Sequence, residues 1–106
     1  MDARGSAAGI ALITMQGDVI GHVAFHAERT HPDVVWISYE TTAPFQDQGY
    51  ASEGVRAIVE RLVAAGNTVR AEVLAGHVAS KKVLERAGLV KIRNPGFGEI
   101  WERRPS

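Results

Sequence analysis

The segment Pro44-Phe45-Gln46-Asp47-Gln48-Gly49-Tyr50-Ala51-Ser52-Glu53-Gly54 joins a run of β-branched and aromatic residues to an amphipathic stretch. A strand that turns directly into a helix gathers the helix's first N–H groups, which have no intrahelical partners, at the positive end of the macrodipole. Phosphate or pyrophosphate binds such a corner through main-chain donors alone. Gly49 and Ala51 are small enough to let a ligand approach the backbone, and Gly49 can take the positive φ that such a turn needs. His22 and His26 share a strand face, but four residues along a strand set them ~13 Å apart, too far to grip one metal ion together. Trp36, Tyr39 and Trp101 read most simply as sheet and hairpin core.

Each of these groups depends on the element that presents it. Ile10 to Met15 reads as an apolar strand and Gln16-Gly17-Asp18 as a turn. Val19 to Glu28 is a second strand with Val23, Phe25 and Ala27 on one face, so the two form a hairpin. Beyond His31-Pro32-Asp33, Val34 to Thr41 is β-branched or aromatic at nearly every position, the pattern of a central strand covered on both faces. Ser52 is the expected cap of the next helix, where Val55, Ile58, Val59, Leu62 and Val63 form one stripe and Gly66 marks the stop.

From Thr68 to Ala75, Val69, Ala71 and Val73 alternate with Arg70 and Glu72, so strand, helix and strand make a parallel crossover. A shorter helix turns Ala79, Val83, Leu84 and Ala87 inward and ends at Gly88. A last hairpin pairs Leu89 to Arg93 with Glu99 to Arg103 across a type II turn at Asn94-Pro95-Gly96-Phe97. The expected order is β-β-β-α-β-α-β-β, an α/β (α+β) fold with a mixed central sheet. Residues 1–9 are expected to form a loose tail and residues 10–106 a single domain.

Two families use a loop of this kind. Gly49-x-Ala51-x-x-Gly54 approaches the dinucleotide fingerprint, with Glu72 about 20 residues on, where a ribose-binding acid belongs. Gln46-x-x-Gly49-x-Ala51 instead matches the Gln/Arg-x-x-Gly-x-Gly/Ala loop that holds the acyl-CoA pyrophosphate in the GNAT superfamily of N-acetyltransferases. The wider context favours the second, because Val78-Ala79-Ser80-Lys81-Lys82-Val83-Leu84-Glu85-Arg86-Ala87-Gly88-Leu89 resembles the second GNAT signature and a hairpin, not further strand-helix units, comes after it. With Gly49-Tyr50-Ala51-Ser52-Glu53, the chain from about Val19 to Trp101 is most similar to the RimJ/RimL-like branch. Members usually begin with one more strand and one or two helices that wall the acceptor site. The resemblance therefore implies a GNAT-like core truncated at its N-terminus.

That resemblance also implies a site. Pantetheine would lie where parallel strands splay at the sheet centre, along Glu40, Thr41 and Thr42, its amides pairing as an added strand does. The N–H groups of Gln48, Gly49, Tyr50 and Ala51, with Ser52, would hold the pyrophosphate, and Gln46 stands at the motif's Gln/Arg position. The loop has no basic residue, and Asp47 adds a negative charge beside it. Glu40 is the candidate base, acting directly or through a water, and Ser80 the candidate hydrogen-bond donor to the departing sulfur. His77 stands where the related branch commonly has Asn and would contact pantetheine. Many members carry an acid Tyr on the second helix; this segment has none. Lys81, Lys82 and Arg86 are expected to coat a solvated helix face, one of them within reach of the 3′-phosphate of CoA.

The implied function is acetyl-CoA-dependent transfer of an acetyl group to a primary amine, on a small molecule or a protein N-terminus, by direct attack. The alternative on the same half-fold is a non-catalytic CoA-binding or oligomerising module. Composition narrows the partners. Twelve basic and twelve acidic residues among 106 cancel, which leaves no electrostatic footprint for nucleic acid or an anionic membrane. The absence of cysteine excludes disulfides, thiolate metal sites and cysteine nucleophiles. With no membrane-spanning run or leader pattern, a cytoplasmic protein is the default expectation. No metal is expected, and the open sheet edge makes a homodimer the expected assembly.

Overall fold

The computed structural model describes residues 8–41, 49–74, 78–93 and 98–105. Strands at Ala8–Met15 (β1), Asp18–Ala27 (β2) and Val34–Thr41 (β3) precede a helix at Tyr50–Ala64 (α1). A strand at Thr68–Leu74 (β4), a helix at Val78–Arg86 (α2) and strands at Val90–Arg93 (β5) and Gly98–Arg103 (β6) complete the described elements. They keep the expected order, in one six-stranded sheet arranged β1-β2-β3-β4-β6-β5. Ala8 and Gly9, read from sequence as tail, already belong to β1, opposite His26 and Phe25.

The α1 stripe behaves as its spacing demands. Val55, Val59 and Val63 are buried, with Ile58 and Leu62 packed at the flanks. Leu84 of α2 and Ala87 just after it join the same core, which also contains Val23, Ile37, Val69, Ala71, Val73, Leu89 and Trp101. Both helices therefore cover one face of the sheet. Fully burying a Val or Leu side chain contributes ~1.5–3 kcal/mol, so this aliphatic layer is the main driving force for the fold.

The other face is of a different kind. Side chains alternate along a strand, so the residues before and after each core residue in its strand point away from the helices. Ile10, Leu12, Leu74 and Val90 lie there 68, 61, 56 and 62% exposed. Between them runs a polar and aromatic band. Trp36 Nε1 donates to Glu28 at 2.8 Å and Arg70 Nε to Glu102 at 2.8 Å, while the Arg70 guanidinium sits 6.0 Å from the Trp36 ring centre. The expectation that β3 is covered on both faces is thus corrected. Val35 and Ile37 are buried under helices, whereas Ser38 and Glu40 on the opposite face are exposed. Trp101 is core, but Trp36 belongs to the band.

Candidate functional site

Two features define the site: the point at which β3 stops pairing with β4, and the corner at Gly49 where α1 begins. The parallel ladder consists of Val34, Val35 and Trp36 opposite Thr68, Val69 and Arg70. Past that point each strand stays attached to its outer neighbour, β3 to β2 as far as Thr41 and β4 to β6 as far as Leu74. The described residues Ile37–Thr41 and Ala71–Leu74 do not pair with one another. Two strands held outward from a common root enclose a wedge, with main-chain groups along both inner edges.

The corner at the head of α1 lies beyond the open end of that wedge. Gly49 has φ 85° and ψ −5°, the left-handed conformation anticipated for it. Its carbonyl accepts the Glu53 N–H at 3.1 Å, and no side chain caps the helix there. Apart from its chain neighbours, no described residue puts an atom within 4 Å of a Cβ built on Gly49, so the backbone can be approached closely. Ser52 is not the cap that its residue type suggests. The helix starts at Tyr50, and the Ser52 hydroxyl, in the first turn, accepts from Arg86 Nη1 at 3.3 Å.

Arg86 is a residue that loop sequence could not reveal. It reaches the corner from the last turn of α2, 34 positions along the chain, and supplies a positive charge the loop lacks. Lys81, expected in solvent, is half-buried and pairs with Glu99 at 3.2 Å, whereas Lys82 is exposed. Burial pushes the Glu99 carboxyl up, but hydrogen bonds from Trp101 and Lys81 and the charge of Lys91 outweigh it and hold the group below the usual range.

Around the wedge, Glu40 is exposed on the face away from the helices, opposite His22 in register, and Thr41 is the last residue of β3. Ser80 is half-buried in the first turn of α2, and its carbonyl accepts a 3.0 Å hydrogen bond from the Tyr39 hydroxyl. Burial raises the Tyr39 phenol above its ordinary value, with a hydrogen bond from the Ser80 side chain partly opposing. The structure thus brings Glu40, Thr41 and Ser80 to the wedge and Gly49, Tyr50, Ala51 and Ser52 to the corner. Thr42, Gln46, Gln48 and His77 lie outside the described residues, as do Asp47 and the 94–97 turn. A groove of about 580 Å³ between β1, β2 and α1 shares Tyr50 with the corner but is lined by no residue of β3, β4 or α2.

The comparisons with known proteins agree with this geometry. The family described as "Acetyltransferase (GNAT) domain" matches residues 1–90. Among solved structures, RimL, a ribosomal L7/L12 alpha-N-protein acetyltransferase in complex with coenzyme A, has TM-score 0.81 and 21% identity. The match covers 95% of this chain and 63% of that one. A phosphinothricin acetyltransferase from Sinorhizobium meliloti in complex with AcCoA has TM-score 0.78 and 16% identity, over 92% of this chain and 61% of that one. A ribosomal-protein-S5-alanine acetyltransferase from Vibrio fischeri has TM-score 0.70 and 17% identity, over 85% and 56%. These likenesses establish the fold, and the chain spans less than two thirds of the length of each of the three. No curated protein matches the sequence.

Proposed function

From the premise that this chain belongs to the GNAT acetyltransferase family, we propose that it binds acetyl-CoA in the β3–β4 wedge and transfers the acetyl group to a primary amine. The observation that carries the reading is the sequence of three features: strands that part after Trp36, a left-handed Gly49 and an α1 N-terminus without a side-chain cap. Main-chain groups of Glu40, Thr41 and Thr42 pair with the pantetheine amides. The first turn of α1, from Gly49 through Tyr50 and Ala51 to Ser52, holds the pyrophosphate, together with Gln46 and Gln48. Arg86 adds a charge-assisted contact. His77, the residue before α2 in the sequence, contacts the arm.

Transfer needs a neutral amine, so an ammonium must first lose a proton. Glu40 accepts it, directly or through a water, from the face away from the helices. Main-chain N–H groups along the wedge stabilise the oxyanion, and Ser80 donates to the sulfur as it leaves. The acceptor approaches across the open face, where Ile10, Leu12, Leu74 and Val90 are exposed.

Those same exposed side chains favour a second reading, in which another polypeptide, a second copy of this chain being the simplest, covers the face and completes the acceptor wall. Calorimetry with acetyl-CoA, a size-exclusion mass and thiol release with a panel of amines test both. Binding with turnover supports the transferase; binding without turnover in any assembly supports the non-catalytic module; no binding removes both.

A further inference from the structure

The helix α2 carries no tyrosine, yet β3 delivers a phenol to it. Tyr39 lies opposite the fully buried Val23, packs against the core and reaches from β3 to the Ser80 carbonyl of α2 at 3.0 Å. Its neighbour Glu40 points to the other face. A thioester running inward along Thr41 and Glu40 therefore has a carboxylate on one side and a phenol hydroxyl on the other. We propose that Tyr39 is the acid that protonates the departing thiolate, an inference that rests on the acyl-transfer reading above.

The amine nitrogen bonds to the thioester carbon, and the adduct's carbonyl oxygen carries the negative charge. As the adduct collapses, the C–S bond breaks and its electron pair goes to sulfur. The Tyr39 hydroxyl proton then joins sulfur to give the free thiol. The amine's surplus proton passes through Glu40 to water, and the phenolate regains a proton from solvent. The overall products are the amide and the thiol. Only the hydroxyl torsion need move, because the ring is packed against the core and the proton is held at the Ser80 carbonyl on the same face. A phenol is protonated, and so able to donate, at neutral pH, and burial shifts the Tyr39 group further in that direction.

The test is turnover of acetyl-CoA and an accepted amine by wild type and Tyr39→Phe, with CoA affinity measured on both. The assignment predicts kcat lower by about 100-fold in Y39F, with the Kd for CoA within about threefold. Replacing Tyr39 by 3-fluorotyrosine, which retains the donor, should restore most of the rate. It should also lower the upper pH at which kcat is sustained. An active wild type with Y39F turning over within about threefold of it, or with kcat and CoA affinity falling together, overturns the assignment while leaving the transferase reading intact. A wild type that binds CoA and releases no thiol overturns both. Should Y39F unfold, the fluorinated residue decides, and an unchanged upper pH limit overturns the proposal.

Discussion

At their first residues β3 and β4 hold one another, with Val35 and Val69 fully buried and Trp36, Arg70, Glu28 and Glu102 joined beside them. At their last residues the same strands part, and the composition of β3 shifts to Ser38, Tyr39, Glu40 and Thr41. The closed end is aliphatic on one face and ion-paired on the other; the open end carries hydroxyls and a carboxylate. Interior apolar area and paired charges supply stability, whereas unpaired strand edges and polar side chains can bind and react. One pair of strands thus divides into an anchoring half and a working half.

The division predicts opposite consequences for substitutions at the two ends. The largest effect is expected in the core to which the closed end belongs. Leu84→Ala empties a fully buried position and should lower unfolding free energy by about 2–5 kcal/mol in urea titration. At the open end, Glu40→Ala should cut kcat by about 100-fold while stability stays within about 0.5 kcal/mol, because the side chain is exposed. A large stability loss there would erase the distinction.

Arg70→Ala returns to the closed end. It takes a charged partner from Glu102, which is only 4% exposed, and should cost about 1.5–3 kcal/mol. Burial alone would push Glu102 up, but hydrogen bonds from Arg104 and Arg70 hold it below its ordinary 4.5. A depressed carboxyl contributes stability that is complete above the unfolded-state value and lost as pH falls through the folded-state value. Thermal melts should therefore weaken below about pH 4.5, and less steeply in R70A. The smallest effect is expected at the corner, where exposed Arg86→Ala should weaken CoA binding by about two- to fivefold and reduce its salt dependence without changing the melt.

The elements were legible because each arises from local periodicity. The α1 stripe and the alternation of Val69, Ala71 and Val73 produce the burial their spacing implies. The positive φ of Gly49 was legible from residue type. What periodicity cannot encode is where two parallel strands cease to pair, since Ile37 and Ala71 are as strand-like as the residues before them. The contacts that shape the site are also non-local: Tyr39 meets Ser80 41 positions away and Arg86 meets Ser52 34 away. Ser52 misled because a good capping residue lay three positions inside a helix that starts from a glycine. Lys81 misled because its carboxylate partner sits on β6, far along the chain.

The most direct measurement is a crystal structure of the chain grown with coenzyme A. The expected result is pantetheine between β3 and β4 beyond Trp36, with the diphosphate against the main chain of Gly49 to Ser52. A wedge closed by β3–β4 hydrogen bonds, or coenzyme bound elsewhere with that corner blocked, would contradict it.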